Sequence, residues 1–367
     1  MKLLLILWAA LVWAQHVFPG KEWDRVAEPE SSGFAKSRLE ALRSYAATLD
    51  TTGLMVVKSG RVVFEYGDLQ RLSYLASARK SVLAMLYGKY VASGQIALSK
   101  TLRELDFNDA PELLPAEREA TIEHLITARS GVYHAASNPG DATEFAPARG
   151  SQKPGSYFLY NNWDFNAGGA VFERLTGKDI YDALDQDLAR PIGMQDFDRF
   201  RQRKSGDPQR SVHMAYHMWL STRDMARFGH LMLREGIWDG KQVVPKGWTK
   251  RITGLVTPLA SLNPIQQREE SYATGTLWGY GFMWWVWDAP ANRGPFSGAY
   301  TARGAFGQYI TVLPALDLVV SHKTDPQQER TPGAIGFSQR RPRNVSLSEY
   351  HTVLTLILTA HCGARCR

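Results

Sequence analysis

Ser77 and Lys80, three residues apart at the head of an apolar run, are the pair in this chain best suited to chemistry. A serine hydroxyl is a poor nucleophile at neutral pH unless a base stands beside it. Positions i and i+3 share one face of a helix, so the Lys80 amine would lie next to the Ser77 hydroxyl. Lysine acts as that base only where burial or a neighbouring cation lowers its pKa. A helix N-terminus adds partial positive charge, which favours the neutral amine and a developing oxyanion alike. The spacing suits acyl transfer. Ser-x-x-Lys occurs once in the sequence, and Ser81-Val82-Leu83-Ala84-Met85-Leu86-Tyr87 after it has the periodicity of a packed helix. Taken alone, the same residues read equally well as a helix cap and a solvated lysine.

A second group strengthens the first. Tyr160-Asn161-Asn162 contains the sole Tyr-x-Asn of the chain and falls where a loop gives way to helical periodicity. A phenol there can relay a proton between serine, lysine and leaving group. The Asn162 carboxamide can donate to a substrate carbonyl and touch Lys80. On its own this group reads as a buried tyrosine beside a cap. Trp163, Trp278, Trp284, Trp285 and Trp287 are candidates to line an apolar pocket. Trp284, Trp285 and Trp287 are expected mostly to alternate across a strand and pack the core, whereas Trp163, directly after the Tyr-x-Asn group, is expected to face substrate.

The elements that must position these groups follow from periodicity. Leu39, Leu42, Ala46 and Leu49 predict an amphipathic helix over 37–49. Leu54–Val57 and Val62–Tyr66 predict two strands joined through Ser59-Gly60. From Ser77 to about residue 275 the pattern is mostly helical with long loops, including a short helix over 121–127 and another opened by Ser221-Thr222-Arg223-Asp224, with Met225, Phe228 and Met232 on its apolar face. The stretch from 132 to Gly155, dense in Pro and Gly, is loop of the kind that frames active sites. Tyr280–Trp287, Gln308–Leu313 and Leu318–Ser321 predict strands, and Ser346 with Glu349 marks a capping box before a final helix. Strands at both ends with helices between predict an α+β fold. Its antiparallel sheet is built from both chain ends, flanked by helices, and holds an inserted, mostly helical region at about 77–275.

Composition sets the outer bounds. The 367 residues are 44% hydrophobic and 22% charged with no low-complexity block, ample for a large core. The formal charge of +7 is modest for this length, and the basic clusters Arg199–Lys204 and Arg340–Arg343 read as solvated loops without a nucleic-acid module around them. Met1-Lys2 followed by an apolar run from Leu3 to Ala14 predicts a signal peptide over 1–14, with a hydrolase domain over 15–367 and a periplasmic or secreted location. The run is too short to span a bilayer comfortably, so no stable membrane insertion is expected. Cys362 and Cys366 are the only cysteines; a disulfide between them would close a loop too short to constrain much.

Together these elements resemble the serine β-lactamase and penicillin-binding protein superfamily, specifically its class C β-lactamase-like branch, which also contains esterases, D-aminopeptidases and 6-aminohexanoate-oligomer (nylon-oligomer) amide hydrolases. The resemblance rests on order and spacing over nearly the whole chain. It runs through the hairpin from Gly53 to Val63, Ser77-Ala78-Arg79-Lys80-Ser81, Thr121 to Gly131, Pro154-Gly155 and Tyr160-Asn161-Asn162. Pro191-Ile192-Gly193-Met194 and Ser221 to Ala226 complete the set. It implies that Ser77 is acylated, that Lys80 is its general base, and that Tyr160 passes the proton to the leaving group and later helps activate water. Asn162 would position substrate. The oxyanion hole would use the Ser77 N–H and one from Gly304 to Gln308.

One element departs from the pattern. Members of this superfamily carry a Lys/His-Thr/Ser-Gly triplet on the strand beside the nucleophile, and its cation helps hold an anionic substrate group. Here the corresponding stretch reads Ala299-Tyr300-Thr301-Ala302-Arg303-Gly304. An ungapped match sets Ala299-Tyr300-Thr301 at the triplet and leaves no cation. A gapped match sets Ala302-Arg303-Gly304 there, and Arg303 could then bind a carboxylate. Lys323-Thr324-Asp325 lacks the glycine and is rejected. Neutral ester or amide substrates are therefore expected over β-lactams, with Trp163, Arg303 and Gly304 beside Asn162 as the substrate-binding set.

Other classes fare worse. His213 and His217 are four apart and could share a helix face, but no Glu follows His213 as in zinc proteases and no third ligand is evident, so neither a metal nor another cofactor is expected. No Gly-x-Ser-x-Gly elbow supports a Ser-His-Asp hydrolase. The rival from outside catalysis is a penicillin-recognising or envelope-peptide-binding sensor, or an inactive relative; a D-Ala-type peptidase is the rival within it. The sequence leaves the substrate and the oligomeric state open.

Overall fold

The computed structural model describes residues 17–138, 140, 142–262, 278–327 and 342–362. The expected signal peptide, the end of the expected helical region and Cys366 lie outside the described residues. Ser59 and Gly60 both have positive φ, 51° and 84°, the pair that a two-residue type I′ turn requires and that matches strand twist. They join β1 (Gly53–Lys58) to β2 (Arg61–Gly67). Three ribbons of two short strands follow. β3 (Ser73–Tyr74) pairs with β6 (Trp219–Leu220), β4 (Arg203–Ser205) with β5 (Ala215–His217), and β7 (Ile237–Trp238) with β8 (Lys241–Gln242).

The main sheet is completed from the far end of the chain by β9 (Trp278–Tyr280), β10 (Trp285–Trp287), β11 (Tyr300–Gly304), β12 (Gln308–Leu313) and β13 (Leu318–Lys323). Among the described residues its seven strands are all antiparallel in the order β2-β1-β13-β12-β11-β10-β9, so the first described strand lies against the last, with Val56 opposite Val320. Both faces are covered. The Thr311 hydroxyl bonds the Tyr350 hydroxyl at 2.6 Å on α8 (Leu347–Ala360), which packs with α1 (Lys36–Ala46). Neighbouring strand residues point to opposite faces, and Ile310 meets α6 (Thr222–Leu233) on the other side. There Gly229 permits close approach: a Cβ on it would fall 2.4 Å from Val319 and 3.0 Å from Ile310. Helix α6 starts where expected, with the Ser221 hydroxyl accepting from the Asp224 N–H at 3.2 Å.

The helices between β2 and β9 carry the site. Helix α2 (Arg79–Ala92) is buried all round from Arg79 to Gly88, as a core helix must be when no face is polar. Helices α3 (Ile122–Ile126), α4 (Asn162–Thr176), α5 (Ile180–Leu184) and α7 (Trp248–Ile252) surround it. The α+β architecture, with a sheet drawn from both chain ends and helices between, is the one the sequence predicts. One local expectation fails. The strand expected over 280–287 is a hairpin broken at Gly281–Trp284, where Met283 takes φ 60°; its unbroken apolar run hides the turn. His213 and His217 share no helix: His217 ends β5 and bonds the Tyr74 hydroxyl at 3.0 Å, while His213 bonds the Asn108 carbonyl at 2.9 Å. Among the described residues there is no group of three or more metal-binding side chains and no helix long and apolar enough to cross a membrane. Cys362 is disulfide-bonded, and its N–H donates to the Gly33 carbonyl at 2.9 Å, tying the end of the chain to the start of α1.

Candidate active site

Ser77 is the middle residue of a 3-10 turn, Ala76–Ala78, that runs directly into α2. Its neighbours from Leu75 to Lys80 are buried and Ser77 alone is half-exposed, so the turn presents one hydroxyl outward. Ala76 holds φ 50°, a left-handed conformation that costs a residue bearing a Cβ about 1 kcal/mol or more and persists only where the surroundings enforce it. One such restraint is Arg79, whose Nη1 donates to the Ala76 carbonyl at 3.1 Å. The turn is therefore held in shape from behind.

One turn further along, Lys80 is 1% exposed. Its Nζ donates to the Tyr160 hydroxyl at 2.8 Å and to the Asn162 Oδ1 at 2.7 Å. The faces of the Tyr160 and Phe165 rings lie 4.2 Å from the same nitrogen, a contact that favours a cation. Tyr160 and Asn162 reach Lys80 because they flank the N-cap of α4: the Asn161 Oδ1 accepts from the Asp164 N–H at 2.8 Å and sets the entry angle of the helix. Asp164 in turn accepts from the Ser130 hydroxyl at 2.5 Å, and Ser130 receives the Val132 N–H at 2.9 Å, so the loop after α3 is tied to the same helix start. A lysine amine between a phenol and an amide oxygen can pass a proton to and from the phenol.

The third wall is the end of β11. Gly304 lies against the Ser77 turn so closely that a Cβ would stand 2.6 Å from the Leu75 carbonyl oxygen and 3.0 Å from the Ala78 nitrogen. Only glycine lets strand and turn approach this far. The turn that follows is held from outside: its Gly307 carbonyl accepts from His322 Nδ1 at 2.7 Å, and Gln308 Nε2 donates to the Thr324 carbonyl at 2.6 Å. Burial pulls His322 down to about 4, so at neutral pH it is uncharged, with Nδ1 protonated toward Gly307 and Nε2 free to accept from Thr51 at 2.9 Å. Of the two triplet alignments, the geometry sets Ala302-Arg303-Gly304 beside the nucleophile turn. Thr301 of the other turns its hydroxyl into the sheet, against Thr311 at 2.9 Å.

A serine at a helix-start turn, a buried lysine and a tyrosine on one hydrogen bond, all against a strand end, can be set beside known proteins. The family profile described as Beta-lactamase matches residues 41–330. This chain belongs to the beta-lactamase family. An uncharacterized protein of Alkalihalophilus pseudofirmus is 26% identical over 266 residues, 67% of this chain and 71% of that protein. A Bacillus anthracis protein provisionally named 6-aminohexanoate-dimer hydrolase superposes with a TM-score of 0.63 at 18% identity, over 92% of this chain and 86% of its own. A class C beta-lactamase carrying a Tyr-to-Phe substitution gives 0.62 at 16% identity, over 92% and 99%. At such identities these structures show the common fold. The family is one of serine hydrolases, and this chain is an enzyme of it.

The beta-lactamase fold brings some predicted residues together and sends others elsewhere. Ser77, Lys80, Tyr160, Asn162 and Gly304 converge as described. Trp163 does not: it is fully buried and donates its indole N–H to Asp109 at 2.6 Å, in a core cluster with Ser211, which bonds the same carboxylate at 2.6 Å. Position 163 follows the helix cap, and one step around α4 turns the side chain from the site into the interior. The tryptophan beside Tyr160 is instead Trp285, stacked on it at 5.6 Å and 27°. Arg303 spreads its guanidinium over Trp278 and Trp285, at 5.7 and 5.8 Å, and so backs the platform on which Tyr160 rests. Phe165 was not singled out by sequence, although its spacing from Asn162 along one helix face is a readable signal. The Trp285 stack, formed across the fold, has none.

Proposed function

We propose that this chain is an exported serine hydrolase that cleaves a neutral ester or amide through an acyl-enzyme on Ser77. The observation that carries the reading is the buried Lys80 amine held between the Tyr160 hydroxyl and the Asn162 carboxamide, three residues along the same helical path from Ser77. In the first half-reaction Ser77 Oγ gives its proton to the Lys80–Tyr160 pair and bonds to the substrate carbonyl carbon. The oxyanion that forms is met by the Ser77 N–H and one N–H from the turn after Gly304. Collapse breaks the bond to the leaving group, which departs with the proton from Tyr160. In the second half-reaction the same pair takes a proton from water, which attacks the ester carbonyl, and returns it to Ser77.

The preference for neutral substrates is supported by Arg303, the one cation of the triplet, lying over two indoles. Export is supported by the charged start and apolar run of residues 1–14; cleavage after Ala14 would be read by N-terminal sequencing of the secreted fraction. Intact-mass labelling with a fluorophosphonate and, separately, a penicillin tests the chemistry, with Ser77→Ala as control. A phosphonate adduct lost in Ser77→Ala, together with no lasting penicillin adduct, is the expected result. A stable penicillin adduct would point to a sensor or D-Ala-type peptidase, and no adduct from either on folded protein would overturn the reading.

A further inference from the structure

Next to Lys80 sits a second buried cation for which the mechanism has no use. Arg79 is 1% exposed. Its one hydrogen bond goes to the Ala76 carbonyl, while Nε and Nη2 are buried without a partner. Among the described residues no carboxylate pairs with it. Its guanidinium lies over the Tyr216 ring at 5.1 Å. The hydroxyls of Tyr216 and of Tyr181, both buried, are also unpartnered. Arg79 acts electrostatically on both phenols, and burial raises both well above the ordinary tyrosine value, so both keep their protons. His217 beside them is drawn down to about 4 by burial with Arg79 and Arg203 adding to the effect, and is neutral; the Asp179 and Glu173 carboxylates also act on Tyr181 but are paired with Arg199 and Lys204.

The guanidinium is thus rich in donors, and the carboxylates that reach the cluster are already paired with other cations. A guanidinium offers only donors, and an uncompensated buried charge costs several kcal/mol unless something opposes it. A single water would accept two hydrogen bonds and leave the charge standing. A small anion would accept from the guanidinium and both phenols and cancel the charge at once. We propose that Arg79, Tyr181 and Tyr216 form a buried binding site for a small monovalent anion such as a halide. Because Arg79 also restrains the Ala76 carbonyl, the bound anion would fix the turn that carries Ser77.

The test uses the full mature protein and bromide as the probe. Anomalous diffraction from crystals grown in bromide should show a peak within hydrogen-bond distance of Arg79 and at least one of the two phenols. Thermal unfolding in bromide should exceed that in gluconate at equal ionic strength by about 2 °C or more, saturating with concentration. The gain should shrink in Tyr181→Phe/Tyr216→Phe, which keeps the cation, and vanish in Arg79→Met if that variant folds. Ordered water alone at the site, equal stability in the two salts, or a bromide effect untouched by the double variant would each overturn the proposal. Occupancy is read without substrate, so the result is independent of the hydrolase reading.

Discussion

Lys80 and Lys323 are both 1% exposed, and both place a single amine where water cannot reach. Lys80 is held by a phenol and an amide oxygen on α4. Lys323, at the end of β13, donates to the backbone carbonyls of Ser73 and Leu220, each at 2.7 Å, and so clamps β3 and β6 to the main sheet. Burial pulls Lys323 down to about 7, against the upward pull of the Asp325 carboxylate. Burial alone therefore does not make a lysine catalytic. A carbonyl oxygen accepts a hydrogen bond but has no proton to exchange, whereas a phenol has one. The difference lies in the partner. Under the proposed mechanism Lys80 belongs to a proton path, whereas Lys323 forms a joint.

Exchanging each amine for an apolar side chain should separate the two roles. Lys80→Met is expected to lower kcat/KM for any ester or amide substrate by about 10³–10⁴-fold while the fold persists. Lys323→Met should lower stability by roughly 2–4 kcal/mol, because two buried carbonyls lose their donor, and should change turnover less than tenfold. Steady-state kinetics and urea unfolding on both variants decide it; a Lys323 variant as inactive as the Lys80 variant would break the comparison. Tyr160→Phe sharpens it further. The amine keeps Asn162 and both ring faces yet loses its exchangeable neighbour, so Lys80 comes to resemble Lys323. A fall in kcat of about 10²–10³-fold with little change in KM is expected. Unchanged turnover would remove Tyr160 from the proton path.

The next effect is on stability alone and depends on pH. The folded-state value of Lys323, about 7, lies below the about 10.4 of an exposed lysine. Between those values the unfolded chain binds a proton that the native chain does not, so stability contributed at this site rises with pH. Below about 7 both states are protonated and the full cost of burying the ammonium stands. The difference in unfolding free energy between the parent and Lys323→Met should therefore grow in the parent's favour from pH 7 to pH 9. A difference independent of pH would mean that Lys323 stays charged throughout.

Much of this was legible where the determinant is local. Ser59-Gly60 and the Ser221 cap each depend on a few consecutive residues, and the fold leaves them as read. What failed depends on the partner across the fold. The hairpin of β9 and β10 looked like one strand because Gly281-Phe282-Met283-Trp284 is as apolar as its flanks, and strands of two or three residues are too short to show a period. Trp163 misleads for the same reason: proximity in sequence favours it, while pairing of β10 with β9 delivers Trp285 to Tyr160. The triplet could be aligned only once Gly304 was seen against Leu75 and Ala78.

The smallest effect should come from the cap of the last helix, which touches neither lysine side chain. The capping box of α8 is formed as predicted, with the Ser346 hydroxyl accepting from the Glu349 N–H at 3.2 Å and Glu349 returning a bond to the Ser346 N–H at 2.7 Å. Helix α8 packs through Tyr350 on the sheet face opposite α6, and Val345, just before its cap, donates its N–H to the Phe306 carbonyl at 3.3 Å in the turn after Gly304. Ser346→Ala is expected to cost about 1 kcal/mol of stability, the usual value of a lost N-cap. It should leave both kcat and the pH dependence assigned to Lys323 unchanged. If capping loss altered turnover as much as stability, the contact of Val345 with the turn after Gly304 would carry the effect, and the separate duties assigned to Lys80 and Lys323 would need that shared route.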